Sequence, residues 1–78
     1  MASSKIKRTG RYEIPSREKE EGKFWEAETS GKFVTIRFGK IGTSGHRASR
    51  EFSNEDEAER FMAGRLLDHI EKGYRPVQ

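Results

Sequence analysis

Hydrophobic and polar positions alternate with a period of two from Phe33 to Phe38. Val34, Ile36 and Phe38 share one face, and Thr35 and Arg37 share the other, the pattern of a half-buried strand. A second alternating run, Lys23 to Thr29, sets Trp25 and Ala27 against Phe24, Glu26 and Glu28. Trp25, the largest apolar group, reads as core. Ser30-Gly31 between the two runs reads as a two-residue hairpin turn. Arg11 to Ile14 is a shorter alternating piece ended by Pro15, which suits an edge strand. His46 to Phe52 is a less apolar strand that turns Phe52 inward and Arg47, Ser49 and Glu51 outward. Its phase sends Arg50 toward the helix side, where a long stem covers the core edge and still reaches water.

The period then lengthens. Ala58, Met62, Leu66 and Ile70 recur every four residues, Ala63, Leu67 and Tyr74 widen the stripe, and Phe61 flanks it. This predicts an amphipathic helix over 54–72. Ser53 or Asn54 serves as its cap, with Ser53 and Asp56 near capping-box spacing and Glu55, Asp56 and Glu57 at the positive end of the dipole. Gly73 suits the C-terminal cap, and Pro76 prevents resumption. A helix with one apolar stripe must cover one sheet face. The expected class is therefore α+β: a two-layer fold with an antiparallel sheet of about four short strands covered by a single long C-terminal helix. The other face is left to solvent, with Arg37 and Arg47 at one end and Glu26 and Glu28 at the other. Met1 to Gly10 lacks periodicity and reads as a flexible basic tail, with a single domain over 11–78.

Composition narrows the picture. Seventy-eight residues allow one domain with a small core. Charged residues make up 37% and hydrophobic ones 31%, close to the composition of disordered chains, but eight aromatics and clear periodicity argue for folding. There is no cysteine, which excludes disulfides, thiolate metal sites and cysteine nucleophiles together. The start of the chain carries no apolar leader core and no segment is long enough to span a bilayer. A cytoplasmic location, no membrane partner and a monomeric state are the expectations, since charged edges discourage strand pairing between copies. The net charge is only +3, but residues 31–50 carry Lys32, Arg37, Lys40, Arg47 and Arg50 plus His46, and no acid. This block is expected to form a continuous positive face.

The block contains a second feature. After Phe38 the alternation breaks into Gly39-Lys40-Ile41-Gly42-Thr43-Ser44-Gly45, so a strand delivers a basic, glycine-rich loop to the surface. Phe38 to Gly45 resembles the signature of the WGR domain, a small module named for its Trp-Gly-Arg motif that accompanies poly(ADP-ribose) polymerases and occurs in bacterial proteins. Gly22-Lys23-Phe24-Trp25-Glu26 resembles the family's opening strand. Phe52-Ser53 and the acidic run after it resemble the step into its helix, and Lys72-Gly73-Tyr74 its close. The resemblance spans residues 11 to 76. Phe38 stands in place of the motif tryptophan and Lys40 in place of the arginine.

The family resembles a DNA-reading and relay module. The resemblance implies that Phe38 packs against the sugar of a terminal nucleotide and that Lys40 contacts the backbone. In the strand's own phase Phe38 also fits a core side chain, and Lys40 lacks the five-donor fork of arginine.

Catalytic chemistry is sparse. The histidines are His46, just past the loop, and His69, which reads as a surface or boundary residue late in the helix. The acids at the helix start are explained by capping. No paired metal-ligand spacing or phosphate loop of the nucleotide-triphosphatase type is present. A non-enzymatic module without metal or cofactor is expected. Its first reading is binding of DNA or another nucleic acid through the backbone or an end, without sequence preference, by Arg37, Phe38, Gly39, Lys40, Thr43, Ser44, His46, Arg47 and Arg50. The alternative is a protein-interaction or interdomain relay module that applies the same basic surface to an acidic partner or an adjoining domain.

Overall fold

The structure is a computed structural model that describes residues 6–18 and 21–77. Five strands and one helix follow in the order β1 (Ile6–Ile14), β2 (Lys23–Ser30), β3 (Phe33–Lys40), β4 (His46–Glu51), α1 (Glu55–Glu71) and β5 (Arg75–Val77). All pairings are antiparallel and the sheet order is β4-β3-β2-β1-β5. The class is the expected α+β fold, with one strand more than the periodicity gives.

The β2–β3 turn is Gly31-Lys32, with Ser30 opposite Phe33. Gly31 takes the positive φ of 59° that such a turn requires at its first position. The loop lies one residue later than Ser30-Gly31, so every cross-strand partner moves by two. Trp25 faces Phe38, and Lys23 faces Lys40.

β1 begins earlier than residue 11. Ile6 to Gly10, expected within a flexible tail, pair with β2 through a bulge between Arg8 and Gly10; residues 1–5 of that tail lie outside the described residues. At the bulge the Thr9 hydroxyl donates toward the Ala27 carbonyl and accepts from the Ala27 amide, both at 3.3 Å. β1 is also not an edge, because β5 pairs with Arg11 to Glu13 on its other side. Pro76 sits in that outer strand, where a missing N–H is tolerated.

At the start of α1 the Asn54 side chain accepts from the Glu57 amide at 2.9 Å, and the Glu57 carboxylate accepts from the Ser53 amide at 3.3 Å. The cap is therefore Asn54, and the carboxylate that reaches back to the Ser53 amide is that of Glu57 rather than Asp56. The other end closes with Gly73 at φ 108°. Its amide donates to the Ile70 carbonyl, and the Tyr74 amide donates to that of His69, each at 3.0 Å. This Schellman motif reverses the chain and delivers it to β5.

The core lies between α1 and the centre of the sheet: Trp25, Ala27, Thr29, Val34 and Ala58 are buried. The stripe drifts as the helix proceeds. At 3.6 residues per turn a four-residue step overshoots by about 40°, so Ile70 has rotated about 120° from Ala58 and is 44% exposed. Leu67, on the far side, is 61% exposed. His69 comes back to within about 20° of Ala58 and packs on Trp25; half-buried, it is a boundary residue, as expected, on the inward side of the helix.

The other sheet face is not simply solvated. Phe24 points into it and is 0% exposed. The guanidinium groups of Arg11 and Arg37 lie 4.2 and 5.3 Å from its ring centroid, a cation–π cover, and the backbone of Gly45 closes its far end. The Arg37 and Glu26 side chains, expected at opposite ends of this face, are ion-paired at 3.1 Å.

Candidate nucleic-acid interface

The loop after β3 is built by close approach. The Thr43 amide and hydroxyl both donate to the Lys40 carbonyl, at 3.1 and 2.7 Å. The Ile41 amide donates to the Gly22 carbonyl at 3.0 Å, tying the loop to the chain ahead of β2. Gly45, at φ 70°, sits where a Cβ would strike the Phe38 carbonyl and would lie 2.7 Å from the Phe24 ring. A Cβ on Gly39 would lie 2.7 Å from the Gly45 Cα. Only glycine fits there, and Phe24 becomes the floor beneath the loop.

Beside this loop runs an open groove of about 630 Å³. Phe38, Gly39, Lys40, Thr43, Ser44 and His46 line it, so six of the nine expected residues come together. Phe38 is 44% exposed, which places it at the groove rather than in the core, with its ring tilted against His46 at 5.9 Å. Lys40 pairs with Glu21 at 3.4 Å, with both side chains largely exposed. Such a pair is worth little and leaves the ammonium free to exchange partners.

The groove also has contributors not expected from the sequence. Lys23 lies opposite Lys40 in the register and doubles the cationic rim. His69 and Tyr74 form the helix-side wall. Burial pushes the Tyr74 phenol up from its ordinary pKa. Lys23 was within reach of sequence reasoning, since counting back from the correct turn pairs it with Lys40. His69 and Tyr74 depend on where the helix end lands.

The remaining three residues go elsewhere, so the basic block is not one continuous face. Arg37 and Arg47 line a separate groove of about 480 Å³ on the opposite side of the sheet. Arg50 lies over Phe52 and Phe61, at 5.0 and 5.4 Å, covering the core edge. Among the described residues no group of three or more histidines, aspartates or glutamates is placed to hold a metal ion, and no helix is long and apolar enough to cross a membrane. The loop groove thus pairs an aromatic wall with a cationic rim, a combination that accepts a flat or sugar ring on one side and an anionic group on the other.

No curated protein matches the chain. A solved structure of a protein from Bacteroides fragilis is similar to it, at 26% identity and a TM-score of 0.77; the match covers 87% of this chain and 19% of that one. The chain spans about one fifth of that structure. The sequence model of the WGR domain matches residues 11–78, and the chain belongs to the WGR domain family.

Proposed function

We propose that this domain binds nucleic acid through the phosphate backbone or a strand end, without sequence preference, and that the groove beside the glycine loop is the contact surface. The observation that carries the reading is the juxtaposition of exposed Phe38 with Lys23 and Lys40 across one groove. A small WGR domain is a binding module, and the family's association with nucleic acid supports the same partner. Phe38 supplies a face for a terminal sugar or base, the two lysines neutralise phosphates, and Ser44 presents a hydroxyl at the loop tip that Thr43 braces through its bond to the Lys40 carbonyl. The long helix spends its inward stripe on the core, and its exposed side carries Glu55, Asp56, Glu57, Asp68 and Glu71, acids that the phosphates flanking a major groove repel.

The test is a backbone amide titration with a short blunt-ended duplex at two salt concentrations. Shifts are expected at Lys40, Thr43, Ser44 and His46. The two rim lysines give a log–log salt slope of about −2, reduced in magnitude by about 1 in Lys40→Ala. Equal shifts with polyglutamate would replace this reading with the protein-interaction one.

A further inference from the structure

The far face of the sheet carries an arrangement that the loop groove does not use. In the β3–β4 register Thr35 lies opposite Ser49, and Arg37 lies opposite Arg47. By strand alternation all four point away from the face that carries Phe38 and His46. The two hydroxyls are 3.1 Å apart.

Like charges directly opposite in a sheet repel, and the local carboxylates do not balance these two. Glu26 is shared: it accepts from Arg37 Nε and Nη2 at 3.2 and 3.1 Å and from Arg11 Nη1 at 3.3 Å. Arg37 Nη1 has no hydrogen-bond partner among the described residues. Glu28 is engaged by Arg8 at 2.9 Å. Glu51, on the same face of β4, is engaged by Lys32 at 2.8 Å. Arg47 makes no ion pair among the described residues. The groove here is lined by four arginines, Arg8, Arg11, Arg37 and Arg47, against Glu26 and Glu28, and Glu13 pairs with Arg11 at 2.6 Å from beside it, so a formal excess of one positive charge remains, at Arg47.

We propose that this far face holds a second phosphate site, centred between Arg37 and Arg47 and independent of the loop groove, whose ligand is a backbone phosphate of nucleic acid. Arg37 is pre-set by Glu26 and by the Phe24 ring beneath it. Arg47 supplies a complete guanidinium fork from the edge strand, and the Thr35–Ser49 pair adds a hydroxyl donor. A tetrahedral oxyanion takes donors from several directions, which two guanidinium groups and a hydroxyl provide. The site lies open on the surface, so a polymer reaches it as readily as a free ion does. It does not rest on the loop-groove reading, because the two grooves share no lining residue.

The experiment follows the side-chain Nε–H signals of Arg37 and Arg47 and the amides of Thr35 and Ser49 in the whole 78-residue chain. The chain is titrated with a short blunt duplex and separately with inorganic phosphate, as wild type, Lys40→Ala and Arg47→Gln. The duplex is expected to shift the far-face signals in wild type and in Lys40→Ala. In Arg47→Gln, duplex affinity at low salt should fall several-fold and the salt slope should lose about 1 in magnitude. Far-face shifts without loop shifts would support this site and overturn the loop-groove reading. Loop shifts alone, with no effect of Arg47→Gln, would overturn this site and leave the loop groove standing. A far-face response to inorganic phosphate but not to duplex would overturn the nucleic-acid assignment, and no response on either face would overturn both proposals.

Discussion

The imidazole of His69 stacks on the indole of Trp25, with centroids 4.5 Å apart and planes inclined by 20°. The His69 Nδ1–H donates to the Arg65 carbonyl at 2.8 Å, since a carbonyl only accepts, and this fixes the ring's orientation. Tyr74 meets the same imidazole edge-on at 4.8 Å. One histidine therefore joins the last turn of the helix, the centre of the sheet and the chain reversal that leads to β5. His69 and Tyr74 line the proposed nucleic-acid groove and His69 stacks on buried Trp25, so the groove wall and the core are continuous.

That continuity gives the first prediction. Trp25→Ala, at a fully buried ring, should cost about 3–5 kcal/mol. His69→Ala removes one stack and one hydrogen bond and should cost about 1–2 kcal/mol. Leu67→Ala, on the exposed side of the helix, should stay within about 0.5 kcal/mol. Denaturant unfolding measures all three, and equal losses for Leu67 and His69 would contradict the inward placement of the imidazole.

Glycine substitutions should separate by position. Gly45→Ala forces a Cβ into the Phe38 carbonyl and the Phe24 ring at a positive φ, and a loss of about 2 kcal/mol or more is expected. Gly64, within the helix, has nothing within 4 Å of its added Cβ. Gly64→Ala should therefore stabilise the domain by about 0.5–1 kcal/mol. Thermal unfolding checks the opposite signs.

The Tyr74 phenol predicts an alkaline effect. Burial raises its pKa in the folded state above the ordinary value of 10.0. Below that value the phenol is neutral whether the chain is folded or unfolded, and its contribution is fully present. As pH rises past it, the unfolded chain ionises first, so stability falls until the folded-state pKa is passed. Tyr74→Phe should flatten this part of the stability–pH curve. Tyrosinate absorbance should show a late-titrating component in wild type that Tyr74→Phe removes.

Lys40→Arg tests the motif position. Arginine adds a planar fork where lysine offers a point charge, and the site is at the exposed rim of the groove. Duplex binding should tighten several-fold with no change in unfolding midpoint. Unchanged affinity would mean that Lys40 acts only through its net charge.

Much of this protein was legible in the order of its residues, for reasons that are local. Period-two alternation exposed the cores of β2 and β3 because successive strand side chains face opposite ways. The acidic first turn, Asn54 and Gly73 marked the ends of α1 because caps satisfy backbone groups within a few residues. Six residues singled out around the loop line one groove, since they occupy one continuous stretch.

Tertiary structure decided what depends on distant segments. A turn displaced by one residue changes every β2–β3 partner by two, and this brings Lys23 to Lys40. β5, with three residues, is too short to show periodicity and exists because the Schellman turn returns the chain to β1. Phe24 follows an ordinary alternating pattern and is nevertheless buried, because arginines from β1 and β3 and a glycine from the loop converge on it. The acid-free run of residues 31–50 is one block in sequence but not one surface: strand alternation sends Phe38 and His46 to one face and Arg37 and Arg47 to the other, and only the packed sheet supplies each with its surroundings.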